Sequence, residues 1–248
     1  MTMCKQSRDK SILLTRPAAQ SLRFAHEIKL SVPDVPIVIS PLMAPRYLMP
    51  LIPAVTFSAV ILVSVAAVEA ARLISAAGEV LPKLAYCVGN QTALAARMIG
   101  FQTQSANGAA KDLLAMITAQ NTPGPLLFLR GQDSTGNIAE NLTLAGLETI
   151  SIIVYQQVAQ QLSPVAMALL ARTRPVIVPL FSPRSARLFQ TQLSYISVIS
   201  PIWVAALSPA IAAALDHKAL DELKIAGHPD SASMIGVLQD FVSMGAMP

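Results

Sequence analysis

Residues 62–74 read LVSVAAVEAARLI, and residues 180–189 read LFSPRSARLF. In both, a short apolar run reaches a serine, and the chain then takes up helical spacing with an arginine on the polar face. Serine is among the best helix N-caps, because its hydroxyl accepts a hydrogen bond from one of the unpaired N–H groups of the first turn. The same strand, serine, helix joint is therefore written twice. Outward from these joints the pattern continues in both directions. SILLT precedes AAQSLRFAHEIKL, a helix expected to place Leu22, Ala25 and Ile28 on one face. KLAYCV precedes QTALAARMIG, PLLFLR precedes GNIAENLTLAG, IWVAAL precedes PAIAAALDHKAL, and LKIAG precedes DSASMIGVLQDFV. Strands alternating with helices imply βαβ units and an α/β fold built on parallel sheets.

The alternation also repeats on a larger scale. Ser64 and Ser182 occupy matching joints 118 residues apart, and Gly89 and Ser208 match at 119. Asn107 and His228 match at 121, and Arg16 with Arg130 at 114. Four matches in one order at nearly one spacing indicate a duplicated α/β domain. Two β-branched stretches, PDVPIVISPLM and LETISIIVYQQV, fall outside the alternation. They are expected to pair as a ribbon connecting the domains.

Composition removes several classes. Hydrophobic residues make up 53% of the 248 and charged ones 13%, which excludes a disordered chain. Residues 47–68, 149–171 and 188–215 carry no formal charge, yet Pro50, Pro53, Gln156, Gln157, Gln160, Gln161, Gln190 and Gln192 interrupt them. Fully buried parallel strands account for such runs better than membrane spans. Cys4 and Cys87 are too few for a metal cluster or a disulfide framework. The N-terminal MTMCKQSRDK lacks an apolar export core, so a cytoplasmic protein is expected. A net charge of +4 favours an anionic partner, but the cations are scattered and argue against nucleic acid.

Motifs for dinucleotide, nucleotide phosphate, zinc or a GxSxG nucleophile are missing, and three histidines give no relay. What remains is a set of strand-to-helix joints with small residues: Thr15, Ser64, the Gly89–Thr92 loop, Gly131, Ser182 and Ser208. In a parallel sheet such joints lie at the carboxyl ends of the strands, where open α/β folds bind ligands. Helix N-termini there present N–H groups and a positive dipole end. Together they point to a carboxylate-rich or phosphate-rich ligand.

At these residues the chain resembles the uroporphyrinogen-III synthase family. LLTRPAAQSLRFAHEI, LVSVAAVEAA, VGNQTALAARMIGF, LLFLRGQDSTGNIAENLTLAGLETISIIVYQQV, LFSPRSARLF and KIAGHPDSASMIGVL carry the likeness in the family's order. The run of RG, AGL, VY and SPRSA is its most specific part. The resemblance implies two α/β domains joined by a two-stranded ladder, with residues 1–37 and 158–248 in one and 38–157 in the other; the ladder strands would be PIVISPLM and IIVYQQV. It implies a lyase that needs no cofactor or metal, acting as a monomer without nucleic acid or membrane. The implied substrate is hydroxymethylbilane, a linear tetrapyrrole with eight carboxylates. It would lose its terminal hydroxyl to form an azafulvene, pass through a spiro intermediate, and close with ring D inverted. Holding one folded conformation is the main demand of such a reaction.

By the same resemblance Tyr155, the tyrosine of the VY motif, is the residue expected to assist departure of the hydroxyl. Ser64, Thr92 and Ser182 would line the site with hydroxyls, the backbone near Gly89 and Ser208 would meet carboxylates, and Arg16 and Arg184 would be charge partners. Five positions depart from the family's pattern: Val63 and Ala210 and Ile211 stand for common threonines, Ala66 for an asparagine, and Gln156 for an arginine. A second class, a two-domain protein that binds a tetrapyrrole or other polyanion without turning it over, shares the fold and is favoured by those lost threonines.

Overall fold

The structure is a computed structural model that describes residues 9–106, 108–120, 122–133 and 136–244. In chain order the elements are β1 (Ser11–Leu14), α1 (Ala18–Ser31), β2 (Ile37–Ile39), β3 (Met43–Tyr47), β4 (Ala59–Leu62), α2 (Val65–Ala76), β5 (Leu84–Cys87), α3 (Asn90–Met98), β6 (Gln102–Ser105) and α4 (Ala110–Ala119). There follow β7 (Leu126–Gly131), α5 (Ile138–Leu144), β8 (Thr149–Ala159), α6 (Pro164–Leu170), β9 (Val176–Leu180), α7 (Pro183–Leu193), β10 (Ile202–Ala206), α8 (Pro209–Ala212), β11 (Glu222–Ile225) and α9 (Ser231–Ser243).

These elements form an α/β protein with two sheets. One has the order β11-β10-β9-β1-β2, and the other β3-β8-β7-β4-β5-β6. Within the first sheet each paired strand is parallel, as are the pairs from β8 to β6 in the second. β4, β9 and β10 are buried at every position. Helices cover both faces of such strands, so the apolar runs are core rather than lipid-facing. No helix among the described residues is long and apolar enough to cross a membrane.

The chain divides into two compact units, Met1–Ala44 with Ala159–Pro248, and Pro45–Val158. The first changeover falls later than the expected boundary after residue 37. Ile37–Ile39 is the reason: it pairs in parallel with β1 and belongs to the first sheet, not to a connecting ribbon. The strand beside β8 is instead Met43–Tyr47. Leu48 N–H donates to Val154 O at 2.9 Å and Gln160 N–H to Leu42 O at 2.9 Å, so these two strands run antiparallel. Position 45 on this edge strand is a proline, a residue that cannot donate to a ladder and is confined to sheet edges and bulges.

The two sheets have one topology. Reading β11-β10-β9-β1-β2 against β6-β5-β4-β7-β8 places three of the matched pairs, Ser64 with Ser182, Gly89 with Ser208 and Arg130 with Arg16, at the same stations. Ser64 follows β4 and Ser182 follows β9, while Gly89 and Ser208 follow the neighbouring β5 and β10. Asn107 lies outside the described residues.

Two local expectations are corrected, and one strand carries no sequence signal. The buried face of α1 is Ser21, Phe24 and Ile28, and Leu22 is 62% exposed. Phe24 wins the core position because its ring meets Phe181 edge-on at 5.0 Å, while the Ser21 hydroxyl donates to Arg16 O at 2.8 Å. PAIAAALDHKAL is not one helix: α8 stops at Ala212, and a separate 3-10 turn, His217–Ala219, is capped by Asp216. β6 reads QTQS and carries no apolar signal, yet it forms a parallel edge beside β5.

Two buried ionisable groups mark how the units are closed. Lys10 is 2% exposed. Its ammonium donates to Val242 O at 3.1 Å and to Met244 O, at the end of α9. There it meets the negative end of the helix dipole, and it lies 5.4 Å from the Trp203 ring centroid. Burial lowers its pKa against the opposing pull of Asp9. Cys87, fully buried on β5, has its thiol pushed up to about 11 by burial, with Arg97 opposing.

Because the folded pKa of Cys87 lies above its ordinary value, the folded state keeps the proton where the unfolded chain loses it. The stability Cys87 contributes is present below about pH 9 and is lost as pH climbs toward 11. In a Cys4→Ser background, Cys87 should react with Ellman's reagent at pH 8 about 100-fold or more slowly in native buffer than in denaturant. Equal rates would show that this thiol is not held in the core.

Candidate active site

The carboxyl ends of the central strands carry the residues singled out above. In the second sheet, Ser64 caps α2: its backbone is extended and its Oγ accepts from Ala67 N at 3.1 Å. Gly89 stands at the start of α3 with no side-chain cap, and among the described residues beyond its two chain neighbours no atom lies within 4 Å of where its Cβ would be. Thr92, 7% exposed, sits in the first turn of the same helix. Since β4 and β5 are hydrogen-bonded neighbours with Leu62 opposite Cys87, the Ser64 and Gly89 joints lie side by side.

Tyr155 comes to this corner from β8 by way of an irregularity. Ile152 faces Leu129 and Ile153 faces Arg130, but Gly131 faces Tyr155, so Val154 is an extra residue and the ladder bulges. Along a regular strand Ile150, Ile152 and Val154 would share one face and Tyr155 would point to the other, because side chains alternate. The bulge resets that alternation, and Val154 and Tyr155 both pack on the core beneath α2 and α3. Past the bulge Gln132 N–H donates to Tyr155 O at 2.9 Å.

From there the Tyr155 ring crosses Gly131. A Cβ on Gly131 would stand 2.6 Å from Tyr155 Cζ and 2.8 Å from its Oη. Gly131 has no positive φ, so glycine serves close approach here rather than an unusual backbone. The phenol reaches Ser64, with Oη and Oγ 3.1 Å apart. A single hydroxyl thus caps a helix through one lone pair and holds a phenol with its remaining capacity.

The first sheet repeats the joint without the tyrosine. Ser182 Oγ accepts from Ser185 N at 3.1 Å, capping α7, and lies 2.9 Å from Ser185 Oγ. Arg184 is the second residue of that helix. Ser208 heads α8 with no side-chain cap bond. Arg16 follows β1, next to β9, and its guanidinium carbon lies 3.9 Å from the Phe181 ring centroid. Its Nε donates to Gln20 Oε1 at 3.2 Å. Burial, and then the nearby Arg23, lower the Arg16 pKa, yet a guanidinium remains charged at any working pH. Arg16, Ser182, Arg184 and Ser208 therefore gather at the carboxyl ends of three adjacent strands, as Ser64, Gly89 and Thr92 do at β4 and β5 in the other sheet, where Tyr155 reaches in from β8 across β7.

The departures have distinct settings. Ile211 is 2% exposed and packs into the core around β9 and β10. Val63 is half-buried against the apolar cluster on the other face of β4. Gln156 is engaged: its Oε1 accepts from Arg46 Nε at 2.6 Å and from the Arg46 terminal nitrogen, and its Nε2 donates to Gln132 Oε1 at 2.9 Å.

A family model described as uroporphyrinogen-III synthase HemD matches residues 36–236. The chain belongs to that family. It is accordingly an enzyme of haem biosynthesis, of the uroporphyrinogen-III synthase type. The crystal structure of uroporphyrinogen-III synthetase from Helicobacter pylori is 15% identical, covering 94% of this chain and 99% of that one, with a TM-score of 0.55. That likeness shows the shared two-sheet α/β fold. A mutant uroporphyrinogen III synthase from the extremely thermophilic bacterium Thermus thermophilus matches at 10% identity over 94% of this chain and 100% of its own, with a TM-score of 0.46. No curated protein sequence matches the chain.

Proposed function

We propose that this enzyme takes hydroxymethylbilane and releases the type III macrocycle, with Tyr155 as the residue that assists loss of the terminal hydroxyl. The observation that carries the reading is the Tyr155 to Ser64 contact of 3.1 Å at the carboxyl end of β4. A phenol held there donates its proton toward the leaving oxygen, the C–O bond breaks, and water departs. The electron pair comes from the adjacent pyrrole, whose N–H proton is lost to the phenolate just formed, so that the azafulvene results and Tyr155 is again neutral. The substituted carbon of ring D then attacks the electrophilic methylene of the azafulvene to give a spiro intermediate. The bond from this carbon to its original methylene bridge breaks, and the free α-carbon of ring D bonds to the released bridge and loses its proton, which leaves the ring inverted.

Binding falls to the joints. Backbone N–H groups at the starts of α2, α3 and α7 suit carboxylates, and the open space beside Gly89 Cα lets a ligand approach the main chain closely. Thr92, Ser182 and Ser208 add polar contacts, and Arg16 and Arg184 add charge. We further read the protein as a cytoplasmic monomer in which both ends of the chain form one folding domain and its middle forms the other.

Supplying fresh hydroxymethylbilane, oxidising the products and separating uroporphyrin isomers by chromatography tests the proposal. A dominant type III fraction is expected. Type I at the enzyme-free level would overturn it and favour a polyanion-binding protein of the same fold. Binding of uroporphyrin III, followed by quenching of its fluorescence, should weaken several-fold between about 50 mM and 500 mM NaCl, as eight carboxylates on a basic surface require. A salt-independent affinity would remove the carboxylate contacts from the account.

A further inference from the structure

We propose that Tyr47 is a positioning residue for Tyr155, an assignment that rests on the role given to Tyr155 above. The register of β3 on β8 places the two phenols opposite one another. Leu48 N–H donates to Val154 O at 2.9 Å, and the Arg46 guanidinium meets the Gln156 amide across the same two strands. The residue between Arg46 and Leu48 therefore faces the residue between Val154 and Gln156. Directly opposed side chains of an antiparallel pair have Cβ atoms about 4.5–5.5 Å apart. Both tyrosines pack against one apolar cluster, which includes Val60, Leu62, Ala67 and Val68.

This arrangement encloses the catalytic ring. β8 lies between β7 and β3, so the Tyr155 ring has Gly131 on its β7 side and Tyr47 on its β3 side. Gly131 lets the ring lean toward Ser64, and Tyr47 fills the space it would otherwise swing into. The electrostatics agree: the Tyr47 phenol is raised above its ordinary pKa by burial first, then by Glu69 and by Tyr155, with Arg72 opposing. Glu69 and Arg72 are themselves locked together, Arg72 Nε and a terminal nitrogen donating to the two carboxylate oxygens at 2.9 and 2.7 Å. Tyr47 thus stays neutral beside the acid and adds no competing charge.

Two measurements test the assignment. With tyrosine labelled at 13Cζ and resonances assigned by single Tyr→Phe variants, the Tyr47 titration midpoint should fall in Tyr155→Phe, because a neighbouring phenolate has been removed. An unchanged midpoint would overturn the juxtaposition, whatever the enzyme's activity. In the isomer assay, Tyr47→Ala should lower kcat about ten-fold with KM within about two-fold. Tyr47→Phe, which keeps the ring, should restore kcat to within about two-fold of the native enzyme. A Tyr47→Ala enzyme of native kcat would sink the positioning role. Should the native protein form no type III isomer, the proposed function fails on its own, and the titration still decides whether Tyr47 holds Tyr155.

Discussion

Tyr155→Phe is expected to lower turnover by several-fold to about a hundredfold while leaving the protein folded. Phenylalanine keeps the ring that lies across Gly131 and loses only the hydroxyl that meets Ser64. Ser64 Oγ still accepts from Ala67 N, so α2 keeps its cap. The lost contact is one half-buried hydrogen bond, worth about 1 kcal/mol of stability at most. Catalysis has more to lose, because removing one positioned acid typically costs about 10²–10⁴ in rate and this substrate already loses water readily. A hundredfold loss corresponds to about 2.7 kcal/mol of transition-state stabilisation. Initial rates of type III formation, compared with thermal unfolding by circular dichroism, separate the two effects. Native turnover in Tyr155→Phe would dismiss the phenol from the mechanism.

The joints were legible because a cap is a local device. LVSVAAVEAARLI and LFSPRSARLF each declare a buried strand, a serine and a helix, and Ser64 and Ser182 both accept from the third residue onward. The shared topology of the sheets was legible from the spacing of those joints. The sequence order of the strands hides one thing: β1 and β2 close the sheet that β9, β10 and β11 form, although more than 100 residues of the other unit intervene. Only contacts of high sequence separation fix that, and the resemblance to a family, not periodicity, anticipated it. The ribbon was misread for a related reason. The β-branched stretch PDVPIVISPLM ends where the pairing with β8 begins: its Ile37–Ile39 is claimed by β1, and the strand beside β8 is the Met43–Tyr47 segment, MAPRY, which has no such pattern.

The proposed site is half legible in the sequence. Tyr155 was named through the VY motif, and Gly131 stood among the small residues at strand ends. What joins them, the extra residue Val154, leaves no mark in IIVYQQV, where apolar residues run on without alternation. Tyr47 was invisible because its partner is over 100 positions away and its neighbours Pro45 and Arg46 do not look like a strand. Leu22 shows the same limit on a helix: periodicity points to Leu22, Ala25 and Ile28 as the inner face of α1, whereas Phe24 takes the core position against Phe181, which no local pattern contains.

Gly131→Ala should therefore be as damaging as loss of the phenol itself, through a methyl group that touches no substrate. The new Cβ would stand 2.6 Å from Tyr155 Cζ, closer than real Cβ contacts come, so the ring or the strand must shift. The ring cannot yield toward β3 without displacing Tyr47, and it cannot yield toward Ser64 without shortening a contact already at 3.1 Å. β7 is paired on both sides and is equally unable to move. Overpacking of this kind costs about 1–3 kcal/mol, and a phenol displaced by an ångström loses the geometry on which its proton transfer depends. Type III turnover is expected to fall about a hundredfold, with a lowered unfolding midpoint. The cause can be isolated by repeating the substitution in a Tyr155→Ala background, where the ring that collides has gone. There Gly131→Ala should cost little stability, giving a coupling of about 1 kcal/mol or more between the two positions. Equal destabilisation in both backgrounds would mean that Gly131 is required by its own strand and not by the tyrosine that crosses it.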